Sequence, residues 1–564
     1  MTMNSGDIPR TGAVALVDQL RIHGVRRIFC VPGESYLAVL DALVDAPDID
    51  IVVCRHEGGA AMMADAYGKL TGEPGIVFVT RGPGATNACC GIHVAQQDST
   101  PLIMFIGHVE RAVLGREAFQ EIDYASMFAP ITKWVTRIDD PARVPELVSR
   151  AFHCATAGRA GPVVIALPED MLTETARCAD AAPYRKTTPG VAPRHAAEIR
   201  ALLEGAERPV VILGGCGWDT AACAAMVRFA EEWQVPVCTS FRRNDLFDNG
   251  HDHYVGNLAI GSNPDLLRAI AESDLLLVIG TRLSEIASGN YTLLTIPRPA
   301  QRTVHIHPDP EELGRVYQTD LGVCASMTEA AATLAAMGAP PARANPAVAA
   351  LRQSFLAWTS PRPVVGDVQM GEIIAWLRDR LPATAILTNG AGNFAIWPNR
   401  FYHYRQLGTI LAPTSGSMGY GIPAAVAAKI EHPERLVICF AGDGDFMMSG
   451  QELATAAAKG AGIIVILVNN GMYGTIRMHQ ETSYPGRESA TALCNPDFPT
   501  LVRAYGGHAE RVTRTDQFAD AFERATASGG TALIEIVIDP EMISPTSTLS
   551  QIRERGEARI AAGQ

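Results

Sequence analysis

The chain has 564 residues, 47% of them apolar and 19% charged, with a formal net charge of -13 and no long block of either sign. That balance argues against nucleic acid as a partner, and apolar runs such as IIVILV are too short to cross a bilayer, so no membrane association is expected. Twelve cysteines occur without a CxxC pair, and MTMNSGDIPR carries no secretory signal, which leads us to expect a reduced cytoplasmic multidomain protein rather than a disulfide framework.

Short β-branched runs alternate with alanine-rich helical stretches along the chain, the pattern of parallel α/β sheets. The first third holds RRIFCV, IDIVVC, GIVFVT, PLIMFIG and PVVIAL. The middle holds PVVILGG, PVCTS, LLLVIG and TVHIH, and the last third AILTN, LVICFAG, GIIVILVNN and ALIEIVI. Proline-rich or charged stretches at 176–195 and 338–365 read as linkers. The expected architecture is therefore three doubly wound parallel-sheet domains, over 8–175, 196–335 and 366–545, with a C-terminal tail at 546–564. A weak repeat joins the outer thirds, each with a strand, a Gly-rich turn, a small-residue helix and a second strand. A site assembled between two related domains would require such scaffolds, although any two βαβ units share the scheme.

Candidate chemistry starts at CRHEGGA, where Glu57 ends one strand and opens a helix. Alone, it reads as an acid favoured by the helix dipole or as a partner for Arg55. In the last third, LVICFA is a buried strand and GDG (442–444) follows it. Ser449, three residues before Glu452, reads as a capping box that starts the next helix. That helix ends near Gly460, and GIIVILV then runs into Asn469-Asn470. A right-handed βαβ unit sets Asp443 and Asn470 on one carboxyl rim, where ligands bind. Two hard oxygen donors there suit magnesium, and Gly442 and Gly444 let backbone N–H groups approach phosphate oxygens. Either motif alone is an ordinary turn, whereas their joint spacing over one βαβ unit is far more specific.

GDG followed at this interval by NN resembles the diphosphate–magnesium motif of thiamine-diphosphate (ThDP) enzymes. RHEGGAAMMADAYGKLTG, TRGPGATN, AFQEID, TSGSMGYGIPAA and HIHPDPEELG extend the resemblance to the acetolactate synthase-like group over nearly the whole chain. It implies a pyrimidine-binding, a central Rossmann-like and a diphosphate-binding domain, with sites shared between subunits of a homodimer or homotetramer. It also implies magnesium held by Asp443, Asn470 and the Met472 carbonyl. The diphosphate would lie against Gly442, Gly444, Asp445, Tyr473, Gly474, Thr475 and the turn carrying Gly392 and Asn393. Glu57 would hydrogen-bond the aminopyrimidine ring and drive its internal proton transfer. Pro32, Gly33 and Asn87 would line the pyrimidine pocket, Met418 would wedge beneath the cofactor, and the Gly416 carbonyl would accept from its amino group. Gln120 would be an active-site glutamine. Arg282 would hold a substrate carboxylate, and His479, in a Gly-rich loop suited to be a mobile cover, would contact substrate. Read without the resemblance, Met418 is core filler, Arg282 a surface ion pair and His479 a solvated loop side chain.

The implied reaction is decarboxylation of a 2-oxoacid followed by carboligation to a second carbonyl. Simple decarboxylation or lysis, flavin-dependent oxidation, and a silent cofactor-binding homologue are the alternatives. Three departures from the synthase pattern bear on substrate: Glu34-Ser35-Tyr36 after Pro32-Gly33, Glu169 in LPED, and RLSEIASGN in a segment associated with FAD. The turn LGGCGW and HIHPDP keep bound FAD possible.

Overall fold

A computed structural model describes residues 9–338 and 345–562. Residue 8 of the first expected domain, 339–344 of the second expected linker, and the last two residues of the tail lie outside them. The described residues fall into two compact units. The first runs to Thr187 and takes in Val426–His432 and Gln451–Gly460; the second holds the remainder.

The first unit is built on a six-stranded sheet. In chain order the strands are Arg27–Cys30, Asp50–Val53, Gly75–Val79, Leu102–His108, Trp134–Arg137 and Pro162–Pro168. All pairings are parallel, and the strands lie across the sheet in the order 2-1-3-4-6-5. Leu102–His108 and Pro162–Pro168 are buried at every residue because helices cover both faces, which is why they read as continuous apolar runs. The edge strand Trp134–Arg137 has no fully buried residue. Leu453–Lys459, a helix of the C-terminal third, belongs to this unit, where its Lys459 Nζ donates to Asp50 Oδ1 at 2.5 Å.

The second unit carries two further six-stranded parallel sheets. One holds Pro209–Leu213, Val237–Thr239, Tyr254–Asn257, Leu275–Ile279, Arg302–His307 and Leu321–Cys324, in the Rossmann order 3-2-1-4-5-6. The other holds Ile386–Asn389, Ile410–Leu411, Val437–Gly442, Ile464–Asn469, His508–Val512 and Ala532–Val537. Its order is 2-1-3-4-6-5, the same as in the first unit. The repeat seen in sequence is thus a repeat of whole-sheet topology.

Two expectations about connections change. Much of the second linker is a helix, Pro346–Trp358, whose buried Arg352 donates from Nη1 to the carbonyls of Asn249 and Tyr254 at 2.9 and 3.1 Å. The tail at 546–564 is mostly the helix Leu549–Ala561, capped by Thr548. It packs on Gly474–Ser483 so closely that a Cβ on Gly556 would stand 2.4 Å from the Glu481 carbonyl.

Candidate active site

In the second unit, Gly442 pairs with Val468, so the parallel strands Val437–Gly442 and Ile464–Asn469 deliver Asp443 and Asn470 to one rim. A helix begins at Asp443 itself and runs to Ser449, and the helix expected after Ser449 follows as Leu453–Lys459, ending at Gly460, but without the capping box. Ser449 is instead a buried helical residue whose hydroxyl donates to the Gly419 carbonyl at 2.6 Å. Asp443 is 3% exposed; its Oδ1 accepts from the Gly444 amide at 3.0 Å, and its Oδ2 from the Gly471 amide at 3.0 Å and Asn495 Nδ2 at 2.7 Å. Burial pushes its pKa up despite these donors.

The two amides of NN divide their work. Asn469 donates to the buried Glu535 at 2.8 Å and accepts from the Gly471 amide at 3.0 Å, bracing the turn from within. Asn470 faces a cavity of about 240 Å³. The same cavity is lined by Gly392, Asn393, Gly416, Met418, Gly442, Asp443, Gly444, Asp445, Met472, Tyr473, Gly474 and Thr475, gathering every cofactor and metal candidate of the C-terminal domain but not His479. It opens where strand order reverses, between the ends of Ile386–Asn389 and Val437–Gly442.

Close packing shapes this cradle. A Cβ on Gly444 would stand 2.5 Å from the Tyr473 ring, and one on Gly390 2.0 Å from Asp445 Oδ1. Asp445 is buried and its Oδ1 accepts from the amides of Ala391 and Gly419, at 3.1 and 2.9 Å, tying three cavity turns together. Burial lifts its pKa to about 7. Asn393 accepts from the Thr475 hydroxyl at 2.8 Å and donates to the Ile543 carbonyl at 3.0 Å. The helix Gly474–Ser483 starts in the cavity wall with no side chain capping its first amides, which leaves N–H donors at an anion-friendly helix start. With the oxygens of Asp443, Asn470 and Met472 beside it, the donor set fits a diphosphate and a magnesium ion.

In the first unit, Glu57 opens the helix Glu57–Thr71, with His56 as N-cap, and is 8% exposed. Its Oε2 accepts from Asn87 Nδ2 at 3.0 Å, while the Arg55 side chain is exposed and forms no pair with it. A Cβ on Gly84 would lie 3.2 Å from Glu57 Oε1, and one on Gly82 (φ 51°) would lie 2.8 Å from the Gln120 carbonyl. Gln120 itself has φ 64°, a strained conformation for a non-glycine residue. Gly33 packs on Thr80, where a Cβ would come within 2.4 Å, and Pro32 precedes it in the turn after Arg27–Cys30.

Several expectations are corrected. The segment around His479 is a regular helix, Gly474–Ser483, with His479 on its exposed side and Arg477 buried against Glu481. Tyr36 is no pocket residue: it is 1% exposed and its hydroxyl donates to the Val31 carbonyl at 2.6 Å. Arg282 follows the strand Leu275–Ile279, as expected, and is half-buried. In LGGCGW, Gly214 and Gly215 have a packing role, since a Cβ there would stand 2.2 Å from Ser240 Oγ and 2.0 Å from the Gly280 carbonyl, whereas Gly217 (φ 80°) faces open space. Arg81, unremarked in the sequence, joins the two acidic departures: it is 8% exposed and reaches Glu34 at 3.1 Å and Glu169 at 3.2 Å.

Glu481 ties the C-terminal helix to this region. Its side chain is fully buried, with Arg553 at 2.5 Å and Arg477 alongside, and these guanidiniums hold its pKa down to about 2. A lowered carboxylate pKa stabilises above the unfolded value and is lost as pH falls, here between about 4.5 and about 2. Glu481→Gln leaves the buried Arg477 with only Glu488, at 3.4 Å, as a carboxylate partner, at a cost of about 1–3 kcal/mol. Limited trypsin digestion at neutral pH is therefore expected to cut the variant, and not the parent, within Leu549–Ala561.

Three family models match this chain. They are the thiamine pyrophosphate enzyme N-terminal TPP binding domain over residues 10–127, the central domain over 196–336, and the C-terminal TPP binding domain over 390–536. The chain is 34% identical to the acetolactate synthase large subunit of Parasynechococcus marenigrum, over 89% of this chain and 83% of that one. It is 31% identical to the acetolactate synthase large subunit of Lactococcus lactis (94% and 93% covered), and 30% to the isozyme 2 large subunit of Escherichia coli (96% and 99%).

Proposed function

Because the chain belongs to the thiamine pyrophosphate enzyme family, we propose that it is an acetolactate synthase-like enzyme that decarboxylates a 2-oxoacid and joins the remaining acyl unit to a second carbonyl compound. The observation that carries this reading is the single cavity bringing together Asp443, Asn470, Met472 and the uncapped start of Gly474–Ser483. Bound ThDP supplies an acidic thiazolium carbon as nucleophile and an electron sink for the departing carbon dioxide. Asp443, Asn470 and the Met472 carbonyl would hold magnesium, and the amides of Gly474 and Thr475 would donate to the diphosphate. The Gly416 carbonyl would accept from the cofactor's amino group, Met418 would pack beneath it, and the turn of Gly392 and Asn393 would contact the diphosphate. Glu57, steadied by Asn87, would hold and move a proton at the aminopyrimidine ring, with Pro32 beside it. Gln120 would face the substrate.

We read the enzyme as a homo-oligomer that shares its sites between subunits. Large apolar side chains stand exposed beside both halves of the machinery: Phe119 (72%) next to Gln120, and Met447 (51%) and Met448 (50%) just after GDG. FAD is not part of the proposal, because packing accounts for the Gly214-Gly215 turn and His305 is turned to the Thr281 carbonyl at 2.9 Å. The Glu34–Arg81–Glu169 cluster, acidic where the synthase pattern is not, favours a second reading, simple decarboxylation or lysis.

Product analysis separates the readings. With ThDP, magnesium and pyruvate, alone or with a second 2-oxoacid, the expected product is a 2-hydroxy-3-oxoacid. Acetaldehyde alone would favour the second reading. No carbon dioxide from any of a panel of 2-oxoacids would overturn both.

A further inference from the structure

Glu452 is a carboxylate with 0% exposure that the proposed chemistry leaves without a role. It lies at the start of Leu453–Lys459, and its oxygens accept from the amides of Arg55 (3.2 Å to each oxygen) and His56 (3.0 Å to Oε1). The Thr455 hydroxyl donates to its Oε2 at 2.6 Å. Those two amides are the last before Glu57, and His56 is the N-cap of the Glu57 helix, its Nδ1 accepting from the Gly58 amide at 3.0 Å. Gly59 is the complement on the facing helix: a Cβ there would stand 2.5 Å from Glu452 Oε1. At the other end of the short helix, Lys459 pairs with Asp50, so the strand Asp50–Val53 is held at its start and the turn after it at its end.

A buried carboxylate is costly to keep unless donors are aimed at it, and here backbone amides supply most of them. A neutral amide in its place would turn an N–H₂ toward one backbone N–H and lose at least one charge-assisted bond. The turn so fixed determines where the Glu57 side chain begins, and hence whether it meets Asn87 and the cofactor at hydrogen-bonding distance.

We propose that Glu452 is a positioning residue for Glu57, its buried carboxylate fixing the backbone of Arg55 and His56 and so the aim of the Glu57 carboxyl. This rests on the reading of Glu57 as the acid that engages the aminopyrimidine ring. The test uses the full-length protein and two readouts other than turnover: amide exchange of residues 54–57 in the apoprotein, by mass spectrometry, and exchange of the thiazolium C2 proton of bound ThDP, by NMR. In Glu452→Gln both should change by about 10-fold, amides faster and C2–H slower, with cofactor affinity within about 3-fold of the parent. Thr455→Val, which removes one orienting hydroxyl, should shift both in the same direction by a smaller factor. It decides the matter should Glu452→Gln fail to fold. Glu57→Gln is the control. Parental C2–H exchange in the 452 and 455 variants, with exchange lost in Glu57→Gln, overturns the positioning role alone. Parental exchange in Glu57→Gln overturns the underlying reading.

Discussion

Glu57→Gln is expected to lower turnover by about 10²–10⁴-fold, the range that one positioned acid–base group contributes, while ThDP and magnesium still bind. Glutamine keeps the length and can still accept from Asn87 Nδ2, so the helix start and the Gly84 contact need not change. What it cannot do is share a proton with a ring nitrogen. The substitution thus separates holding the cofactor from activating it, since the diphosphate and metal ligands come from a different unit of the chain. Steady-state kinetics with a 2-oxoacid, together with a ThDP titration followed by tryptophan fluorescence, checks both halves. Unchanged turnover would remove Glu57 from the chemistry. Lost binding would make it a structural residue of the fold.

The sequence carried the centre of each sheet and lost its margins, for a physical reason. Strands covered on both faces, such as Leu102–His108 and Val437–Gly442, are apolar at nearly every position and stand out. The unforeseen strands of the three six-stranded sheets are all edges: Trp134–Arg137, Tyr254–Asn257, Leu321–Cys324, Ile410–Leu411 and His508–Val512. Leu321–Cys324 alternates buried and exposed residues, and Ile410–Leu411 is only two residues long, so neither gives an uninterrupted apolar run. Helix Gly474–Ser483 was hidden for another reason. Its polar sequence suits a loop, and it is the buried Arg477–Glu481 pair, joined by the half-exposed Arg553, that makes it a packed element.

The site divides along the same line. Residues whose backbone does the work, such as Gly444 and Gly474, sit in a local pattern that survives without tertiary information. Side chains that act across the fold do not. Asn495 reaches Asp443 from 52 residues away, Arg81 joins Glu34 and Glu169, and Glu452 reaches back 396 residues to His56. Ser449 and Glu452 show how the pattern misleads: their spacing is that of a capping box, but each spends its side chain on a distant backbone group.

Removing magnesium with a chelator, or Asp443→Asn, is expected to weaken ThDP binding by more than 100-fold. Asp443 is buried with two amides and the Asn495 side chain on its carboxylate, and no Lys or Arg among the described residues pairs with it, so burial already disfavours its charge. A divalent cation shared with the diphosphate would supply the missing counter-charge and link the carboxylate to the ligand. Asparagine removes that charge and turns an N–H₂ toward donors that need an acceptor, so both the ion and the turn at Gly471 suffer. Asn495 touches Asp443 rather than the cavity, so Asn495→Ala should cost less, about 10–100-fold, as second contacts of metal ligands usually do. Calorimetric titration of ThDP with magnesium, with chelator, and into both variants orders these effects. Equal affinity in all four would place the cofactor's anchor elsewhere. A larger loss in Asn495→Ala than in Asp443→Asn would make the turn, not the ion, the element that holds the diphosphate.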